Sequence, residues 1–192
     1  MSIRVIAGSA KGRRLKLVPG DTTRPVMDRV KESLFNIIGR DIIDSTFLDL
    51  FAGTGSVGIE ALSRGAKQAV FVDIERKAIH TIQDNINVTG LGEKAIIRKD
   101  DAFNFLKGST QIFDFIYIAP PQYKGLWQKA LQTLDANPDW ITENISVIVQ
   151  IDPSEITSIA LEHLETVDQR RYGNTLLWFF APTQKPTDGD AP

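Results

Sequence analysis

The chain has 192 residues, 42% of them hydrophobic and 24% charged, and a formal net charge of −2. Because it contains no cysteine, a disulfide scaffold, a thiolate metal site and a cysteine nucleophile are excluded, and with only two histidines we expect no metal centre. No apolar run approaches the roughly 20 residues that span a bilayer, and no signal peptide is recognisable, so we expect a cytoplasmic protein without a membrane partner.

Positive charge is concentrated at the amino terminus. Residues 1–40 hold nine Lys or Arg against three acids, a local charge of +6, and the remainder holds thirteen against twenty-one, a local charge of −8. Apolar and basic residues alternate in two short runs around a turn, which predicts a β-hairpin. Its cations are Arg4, Lys11, Arg13, Arg14 and Lys16. Such a hairpin can lay cations along phosphates, and an equally good interpretation is a solvated hairpin face.

A helix is predicted after Thr23-Arg24-Pro25. Its apolar positions are Val30, Leu34, Ile37 and Ile38. These positions recur at helical spacing, and Gly39 is a typical residue to end the helix. We expect this amphipathic helix to pack on the main domain.

The segment Phe47–Ala61 combines an apolar strand, a glycine turn and the start of a helix. Gly53, Gly55 and Gly58 stand at G-x-G-x-x-G spacing, which lets the backbone bend tightly and approach a ligand closely. The pattern is typical of a nucleotide-type cofactor site. Asp49 precedes the first glycine, where its carboxylate would repel a pyrophosphate. It can bind a turn N–H or, through water, a cationic ligand, and the alternative is a local turn cap.

Two further acids follow predicted strands and would face the same crevice. Asp73 ends the second strand, where a carboxylate can bind ribose hydroxyls, although a purely structural role is about as good an interpretation. Asp101 follows the third strand, where a carboxylate can accept a hydrogen bond from the exocyclic amine of a bound base. Asp101 is also well placed to cap the helix that begins at Ala102, and one residue can do both.

The fourth predicted strand leads into the proline loop, Ala119-Pro120-Pro121-Gln122-Tyr123. Two consecutive prolines impose an extended backbone, whose carbonyl oxygens point outward as acceptors. With the tyrosine ring as a stacking plane, the loop predicts a pocket for a planar group that bears an amine. The alternative is a rigid strand-to-helix connection with a core tyrosine.

Strand and helix patterns alternate along the main part of the chain. Strands are predicted at 47–51, 69–73, 95–98, 113–118, 146–151, 163–170 and 175–181, and helices at 57–64, 75–89, 102–107, 124–134 and, short, near 154–160. This order predicts a doubly wound α/β sheet, mostly parallel, that closes with an antiparallel pair. We expect a basic hairpin-and-helix extension in residues 1–40, one main domain in 41–182 and a disordered tail in 183–192.

These landmarks resemble those of class I S-adenosylmethionine-dependent methyltransferases that act on exocyclic amines and carry an (Asp/Asn)-Pro-Pro-(Tyr/Phe) loop. The amino-terminal motifs closely resemble a narrower group, the bacterial RsmD family of 16S ribosomal RNA guanine-N2 methyltransferases. Those motifs are Arg4-Val5-Ile6-Ala7-Gly8, Lys11-Gly12-Arg13-Arg14-Leu15, Thr23-Arg24-Pro25 and Asp28-Arg29-Val30-Lys31-Glu32-Ser33-Leu34-Phe35-Asn36. The resemblance covers nearly the whole chain up to the tail. It implies a Rossmann-like class I methyltransferase sheet, mostly parallel with one antiparallel strand.

The resemblance also implies a substrate pair and a set of site residues. The cofactor would be S-adenosylmethionine, with S-adenosylhomocysteine as product, and the acceptor a guanine of 16S rRNA, at position 966 in the family. The implied cofactor-binding residues are Arg24, which would close the site, and Asp49, Phe51, Ala52, Gly53, Thr54, Gly55, Asp73, Ile74, Asp101 and Ala102. The implied catalytic loop is Ala119, Pro120, Pro121, Gln122 and Tyr123, and the hairpin cations would bind RNA. The partner would be 16S rRNA in a 30S subunit or assembly intermediate, and the enzyme a monomer.

The proline loop departs from the family pattern. Ala119 stands where the family carries Asp or Asn, and Gln122 places Tyr123 one position late. The side-chain acceptor for the amine is therefore missing, which leaves backbone carbonyls and the amide of Gln122. The fifth strand carries Gln150 where family members often have an acid. Two alternatives follow: a catalytically weakened, cofactor-binding module for RNA binding or ribosome assembly, and an N-methyltransferase that acts on DNA, protein or a small molecule.

Overall fold

The computed structural model describes residues 3–20, 26–108 and 110–184. Its strands are β1 (Ile3–Arg4), β2 (Arg14–Leu15), β3 (Thr46–Leu50), β4 (Gln68–Asp73), β5 (Ala95–Lys99), β6 (Phe115–Ile118), β7 (Ser146–Ile151), β8 (Leu164–Tyr172) and β9 (Thr175–Pro182). Its helices are α1 (Asp28–Ile38), α2 (Ser56–Ser63), α3 (Arg76–Thr89), α4 (Ala102–Lys107) and α5 (Leu126–Asp135). Short 3₁₀ turns lie at Gly39–Ile42, Gly92–Lys94, Pro138–Trp140 and Pro153–Glu155.

Seven strands form the central sheet in the order β5-β4-β3-β6-β7-β9-β8, and β1 pairs with β2 in a separate antiparallel hairpin. The first five strands in that order are parallel neighbours, whereas β9 runs antiparallel to both β7 and β8. One strand of the seven is therefore reversed, which confirms the predicted class I methyltransferase sheet. The strand order changes direction between β3 and β6, so the loops after these strands flank a crevice at the carboxyl edge.

Helices cover both faces of the sheet. On β3, Phe47 belongs to the apolar layer shared with α1, α2 and α3, whereas Leu48 belongs to the layer shared with α4 and α5. Successive strand residues point to opposite faces, so strands covered on both sides must be apolar at nearly every position. That requirement explains why continuous apolar runs predicted these strands.

A buried carboxylate on α2 holds the amino-terminal hairpin. Glu60 is fully buried and accepts hydrogen bonds from the backbone N–H groups of Ile6 at 2.8 Å and Ala7 at 2.9 Å. It also pairs with Arg64 at 2.8 Å and with the buried ammonium of Lys31 at 3.4 Å. Burial lowers the pKa of Lys31, and Glu60 is the largest influence that opposes this change. The hairpin is thus joined to the helix that follows the glycine turn.

A close backbone contact completes this attachment. A Cβ atom at Gly8, where φ is +82, would lie 1.8 Å from the carbonyl oxygen of Ser63. The hydroxyl of Ser63 donates to the carbonyl of Ala7 at 2.6 Å and accepts from the N–H of Ala10 at 3.0 Å. Only glycine therefore lets the hairpin turn lie this close to the end of α2.

Three predicted details of the elements are wrong. The short helix near 154–160 is limited to the 3₁₀ turn Pro153–Glu155. Strand β6 begins later than predicted, because the carboxylate of Asp114 accepts hydrogen bonds from the N–H and hydroxyl of Thr46. Ile37 is 41% exposed, so it lies outside the buried face of α1.

Part of the predicted organisation falls outside the described residues. Residues 185–192 and Arg24 lie there, so the expected tail and the expected role of Arg24 stay predictions. Within the described ranges, no helix has the length and apolar character needed to cross a membrane.

Candidate active site

Three residues with positive φ bend the chain directly after β3. They are Phe51 (φ 67), Gly53 (φ 55) and Gly55 (φ 71). This conformation is strained for a residue as large as Phe51, so the surrounding contacts must impose it. The N–H of Ala52 donates to the carbonyl of Val72 at 2.9 Å, and the N–H of Gly55 donates to the carbonyl of Ala52 at 2.7 Å. These bonds give the glycine turn a defined shape at the edge of the crevice.

Asp49 and Gly58 attach α2 to the sheet. A Cβ atom at Gly58 would lie 2.4 Å from the ring of Phe71, so glycine is needed for the helix to pack this closely on β4. The carboxylate of Asp49 accepts the N–H of Gly58 at 2.9 Å. Asp49 is only 2% exposed, and burial raises its pKa to about 7. Its position beneath the turn matches the local capping role that the sequence left open.

Asp73 joins the first two loops of the crevice. Its carboxylate accepts the N–H of Gly53 at 2.8 Å through Oδ2 and the N–H of Glu75 at 2.8 Å through Oδ1. Burial raises the pKa of Asp73, and these two backbone donors oppose that rise. The next residue, Ile74, is 57% exposed. An anchored carboxylate thus lies beside an exposed apolar side chain.

Asp101 and Phe103 bring the third loop to the same edge. Asp101 caps α4, because its Oδ1 accepts the N–H groups of Phe103 at 3.0 Å and Asn104 at 3.1 Å. The ring of Phe103 lies edge-on to the ring of Phe51, with 6.0 Å between centroids. Asp101 remains partly exposed and Ala102 is buried. The predicted capping of α4 is therefore present, and the first and third loops are in contact.

These features fit an adenosine group at the carboxyl ends of β3, β4 and β5. The exposed side chain of Ile74 can cover one face of a base, and the carboxylate of Asp73 can accept hydrogen bonds from ribose hydroxyls. Among the described residues, no group of three or more His, Cys, Asp or Glu side chains could hold a metal ion.

The proline loop is held from the opposite side of the crevice. Tyr123 adopts positive φ (61) and its N–H donates to the carboxylate of Glu155 at 2.8 Å. A hydrogen bond to Asp152 raises the pKa of the Tyr123 phenol. Tyr123 is 69% exposed, which excludes the alternative of a core tyrosine at this position. Pro120 is buried, Ala119 and Gln122 are partly exposed, and Pro121 is exposed.

All of the predicted RNA-binding cations on the hairpin are exposed. They are Arg4, Lys11, Arg13, Arg14 and Lys16. Arg4 pairs with Asp28 at 3.2 Å, and Lys16 pairs with Asp84 at 2.9 Å. The other three form no ion pair within the described part of the chain. Three of the five exposed hairpin cations thus have no acidic partner among the residues that the structure describes.

Asn85 on α3 connects the hairpin to the glycine turn, and the sequence did not predict this role. Its Oδ1 accepts the N–H of Lys16 at 2.7 Å, and its Nδ2 donates to the carbonyls of Lys16 at 3.1 Å and Thr54 at 2.9 Å. Asn85 is fully buried. It follows Ala78 and Ile82 on the apolar face of α3. A polar residue on the apolar face of a helix was the signal that could have identified Asn85. No comparable signal marks Glu60 or Glu155, whose contacts were also not predicted.

Comparisons with known proteins agree with this geometry. The family model described as conserved hypothetical protein 95 matches residues 3–181. The "Putative rRNA methyltransferase YlbH" of Bacillus subtilis is 40% identical over 172 residues, which cover 85% of this chain and 93% of that protein. The "Ribosomal RNA small subunit methyltransferase D" of Haemophilus influenzae is 32% identical over 182 residues, which cover 90% and 94% respectively. The solved "Putative methyltransferase yhhF" from Escherichia coli is 26% identical with a TM-score of 0.82, and the match covers 95% of this chain and 98% of that one.

Proposed function

Because the chain belongs to the RsmD family, we propose that it methylates the N2 amine of a guanine in small-subunit ribosomal RNA. It is an S-adenosylmethionine-dependent rRNA methyltransferase. The choice of guanine N2, at the family's position 966, is the finer part of the proposal. The connection through Asn85 supports an RNA substrate, because this residue joins an exposed basic hairpin to the glycine turn, and the choice of guanine N2 rests on the family.

The cofactor supplies a methyl group on a positively charged sulfur, which is an electrophile for an amine, and S-adenosylhomocysteine is the product. In this proposal the backbone of Phe51–Gly55 holds the methionine part. Asp73, already oriented by two backbone donors, accepts hydrogen bonds from the ribose hydroxyls. Ile74 covers the adenine, and Asp101 with Ala102 contacts the adenine edge.

The guanine enters the crevice from the side of the proline loop. A base that reacts at its N2 amine must first leave its stack, which costs least in single-stranded or distorted RNA. The carbonyls of Ala119 and Pro120 accept the amine, and the exposed ring of Tyr123 stacks on the base. These groups align two reactants, and alignment rather than a strong base supplies most of the rate.

The hairpin binds the RNA backbone in this proposal. Lys11, Arg13 and Arg14 neutralise phosphates, which makes binding dependent on salt. Arg24 would close the cofactor site from the same side. The substrate is 16S rRNA in a 30S subunit or an assembly intermediate, and the enzyme acts as a monomer in the cytoplasm.

The proposal is tested with 30S particles from a strain that lacks the gene. Incubation with labelled S-adenosylmethionine should place label in one guanine, and nucleoside mass spectrometry should identify N2-methylguanosine. Label in another base, or in protein, would assign a different acceptor. No label at high enzyme concentration would reject the proposal.

A second candidate is a cofactor-binding assembly module without turnover. Ala119 favours it, because this residue offers no side-chain acceptor to an amine. Loss of one such hydrogen bond costs on the order of 1 to 3 kcal/mol, which slows an enzyme without abolishing its activity. Calorimetric binding of the cofactor together with no methylation of 30S particles would support this candidate. An Ala119→Asp variant that gains activity would identify the missing group.

A further inference from the structure

Two side chains on neighbouring strands form a polar pair at the acceptor side of the crevice. The hydroxyl of Tyr117 on β6 donates a hydrogen bond to Oε1 of Gln150 on β7 at 2.5 Å. Tyr117 is buried, and burial raises the pKa of its phenol well above the usual value, so the hydroxyl keeps its proton. Gln150 is only partly buried. Tyr117 therefore anchors an amide group that is still partly exposed near the carboxyl end of β7.

Gln150 stands next to Ala119. Ile118 pairs with Val149 in the parallel ladder between β6 and β7, so the residues that follow them, Ala119 and Gln150, are neighbours. Neighbouring side chains in register on parallel strands point to the same face. Ala119 packs against the same apolar layer as Tyr117. The methyl group of Ala119 offers no hydrogen-bond acceptor on this face, whereas its neighbour on β7, Gln150, carries one.

We propose that Gln150 supplies the side-chain acceptor that, together with the backbone carbonyls of the proline loop, holds the N2 amine of the guanine during methyl transfer. The inference rests on the proposed function and adds a substrate-contacting residue to it. An amide oxygen has two lone pairs, of which the Tyr117 hydroxyl uses one. The second lone pair accepts one N–H of the amine. An amide does not take up a proton near neutral pH, so Gln150 orients the amine and the proton leaves to water.

The nearby acids are already committed to other contacts. Asp49 lies beneath the glycine turn with its carboxylate on the N–H of Gly58. Glu155 accepts the N–H of Tyr123 at 2.8 Å and the N–H of Asp152 at 3.4 Å. In contrast to these carboxylates, Gln150 keeps an acceptor lone pair that the Tyr117 hydroxyl does not use.

The test compares the binding of RNA with and without the N2 amine at the target base. A 16S rRNA fragment carries guanosine or inosine at the position that mass spectrometry identifies, and it is titrated into the full-length protein with S-adenosylhomocysteine. Inosine lacks the N2 amine, so the ratio of the two Kd values reports on that group alone. Wild type should prefer guanosine about tenfold. Gln150→Leu, which keeps the bulk without the acceptor, should lose this preference, and Gln150→Glu should keep it.

Turnover gives a second readout. Gln150→Leu should lower kcat by about 10-fold to 100-fold while the Kd for S-adenosylmethionine stays unchanged. Adding Ala119→Asn to that variant should restore part of kcat, because it returns an acceptor from the neighbouring strand. Gln132→Ala, on the exposed side of α5, is the matched control and should behave as wild type.

The outcomes separate the two proposals. If wild type makes no N2-methylguanosine and has no preference for guanosine, the proposed function fails and this inference fails with it. If wild type is active and Gln150→Leu keeps both its kcat and the preference, this inference alone is overturned. If Gln150→Leu is unstable in thermal unfolding, Tyr117→Phe replaces it. That variant leaves the amide unanchored and should reduce the preference about threefold, and an unchanged preference overturns the inference.

Discussion

The carboxylate of Asp49 at the end of β3 accepts a hydrogen bond from the backbone N–H of Gly58, 2.9 Å away on α2. The same carboxylate is buried, and burial raises its pKa from 3.8 to about 7. Near neutral pH this carboxyl therefore keeps its proton far more readily than an ordinary aspartate does. Its charge affects both the stability of the fold and the start of the helix behind the glycine turn.

Asp49→Asn should make the protein less sensitive to rising pH. A carboxylate whose pKa is raised in the folded state contributes most stability below its unfolded value of 3.8, and this contribution is lost as pH rises through about 7. A pKa shift of this size can change the free energy of unfolding by at most on the order of 4 kcal/mol. Urea unfolding at pH 5 and pH 8 should show wild type losing stability relative to the variant, whose amide oxygen still accepts the N–H of Gly58. If wild type and Asp49→Asn lost the same amount of stability between pH 5 and pH 8, the raised pKa would be contradicted.

Gly8→Ala should damage the attachment of the hairpin far more than Gly12→Ala. Both glycines have nearly the same backbone, with φ of +82 and +83, but a Cβ at Gly12 has no neighbour within 4 Å. Gly12→Ala should therefore cost about 1 kcal/mol from backbone strain alone. The clash of Gly8→Ala with Ser63 should add on the order of 3 kcal/mol or detach the hairpin. Urea unfolding and proteolysis of the hairpin measure the difference, and equal losses would argue against the close approach to α2.

Glu60→Ala should destabilise the protein by roughly 3 to 5 kcal/mol, because it leaves the ammonium of Lys31 buried without its partner. The N–H groups of Ile6 and Ala7 would also lose their acceptor. Glu60→Gln keeps one acceptor oxygen and should cost about half as much. Denaturant unfolding of both variants checks the order. If Glu60→Gln were as destabilised as Glu60→Ala, the loss of the charge on Glu60, rather than the loss of its hydrogen bonds, would account for the destabilisation.

Removing hairpin cations should change the salt dependence of RNA binding. Each of Lys11→Ala, Arg13→Ala and Arg14→Ala should reduce the slope of log K against log[salt] by about 1 if that cation neutralises a phosphate. Lys107→Ala is the matched control, since this exposed lysine lies on α4, which covers the face of the sheet opposite to that of the hairpin. Binding of a 16S rRNA fragment between low and moderate salt supplies the slopes. Equal slopes for the Lys107 and Arg14 variants would contradict a role of the hairpin in RNA binding.

Asn85→Ala should weaken cofactor binding, because the carbonyl of Thr54 in the glycine turn loses its donor. We expect the Kd for S-adenosylmethionine to rise about 5-fold to 10-fold, which corresponds to one hydrogen bond. Asn87→Ala changes the same residue type on the exposed side of α3 and is the control. Calorimetry measures both, and an unchanged Kd in Asn85→Ala would mean that the turn keeps its shape without this contact.

Most of the sheet could be predicted from the sequence, because its strands and the turn after β3 are marked by short stretches of sequence. Strands such as β3 and β4 are covered on both faces, so they read as apolar runs, and the glycines after β3 mark the turn. The paired hairpin and the end of α1 at Gly39 were also predicted correctly. The predicted helix near 154–160 was wrong, because Asp152 and Glu155 form a capping box that closes a single 3₁₀ turn.

The contacts that join the elements were not predictable from one sequence. Asn85 and Lys16 are 69 residues apart, and Glu60 and Ile6 are 54 apart. Hydrogen bonds of this kind leave no periodic signal, since each depends on a tertiary arrangement of three elements. The burial of Asp49 was open for the same reason, because a carboxylate that caps a turn and one that faces a ligand occupy the same place in the sequence.

The amino-terminal hairpin cannot be transferred to another protein by itself and keep its orientation. Its two short strands carry exposed cations, but the groups that anchor them are Glu60, Ser63 and Asn85 on two helices of the main domain. A graft of residues 1–40 onto another methyltransferase would carry the cations without the groups that orient them. The anchors would have to be transplanted with the hairpin, so the placement of its cations depends on residues that are distant in the sequence.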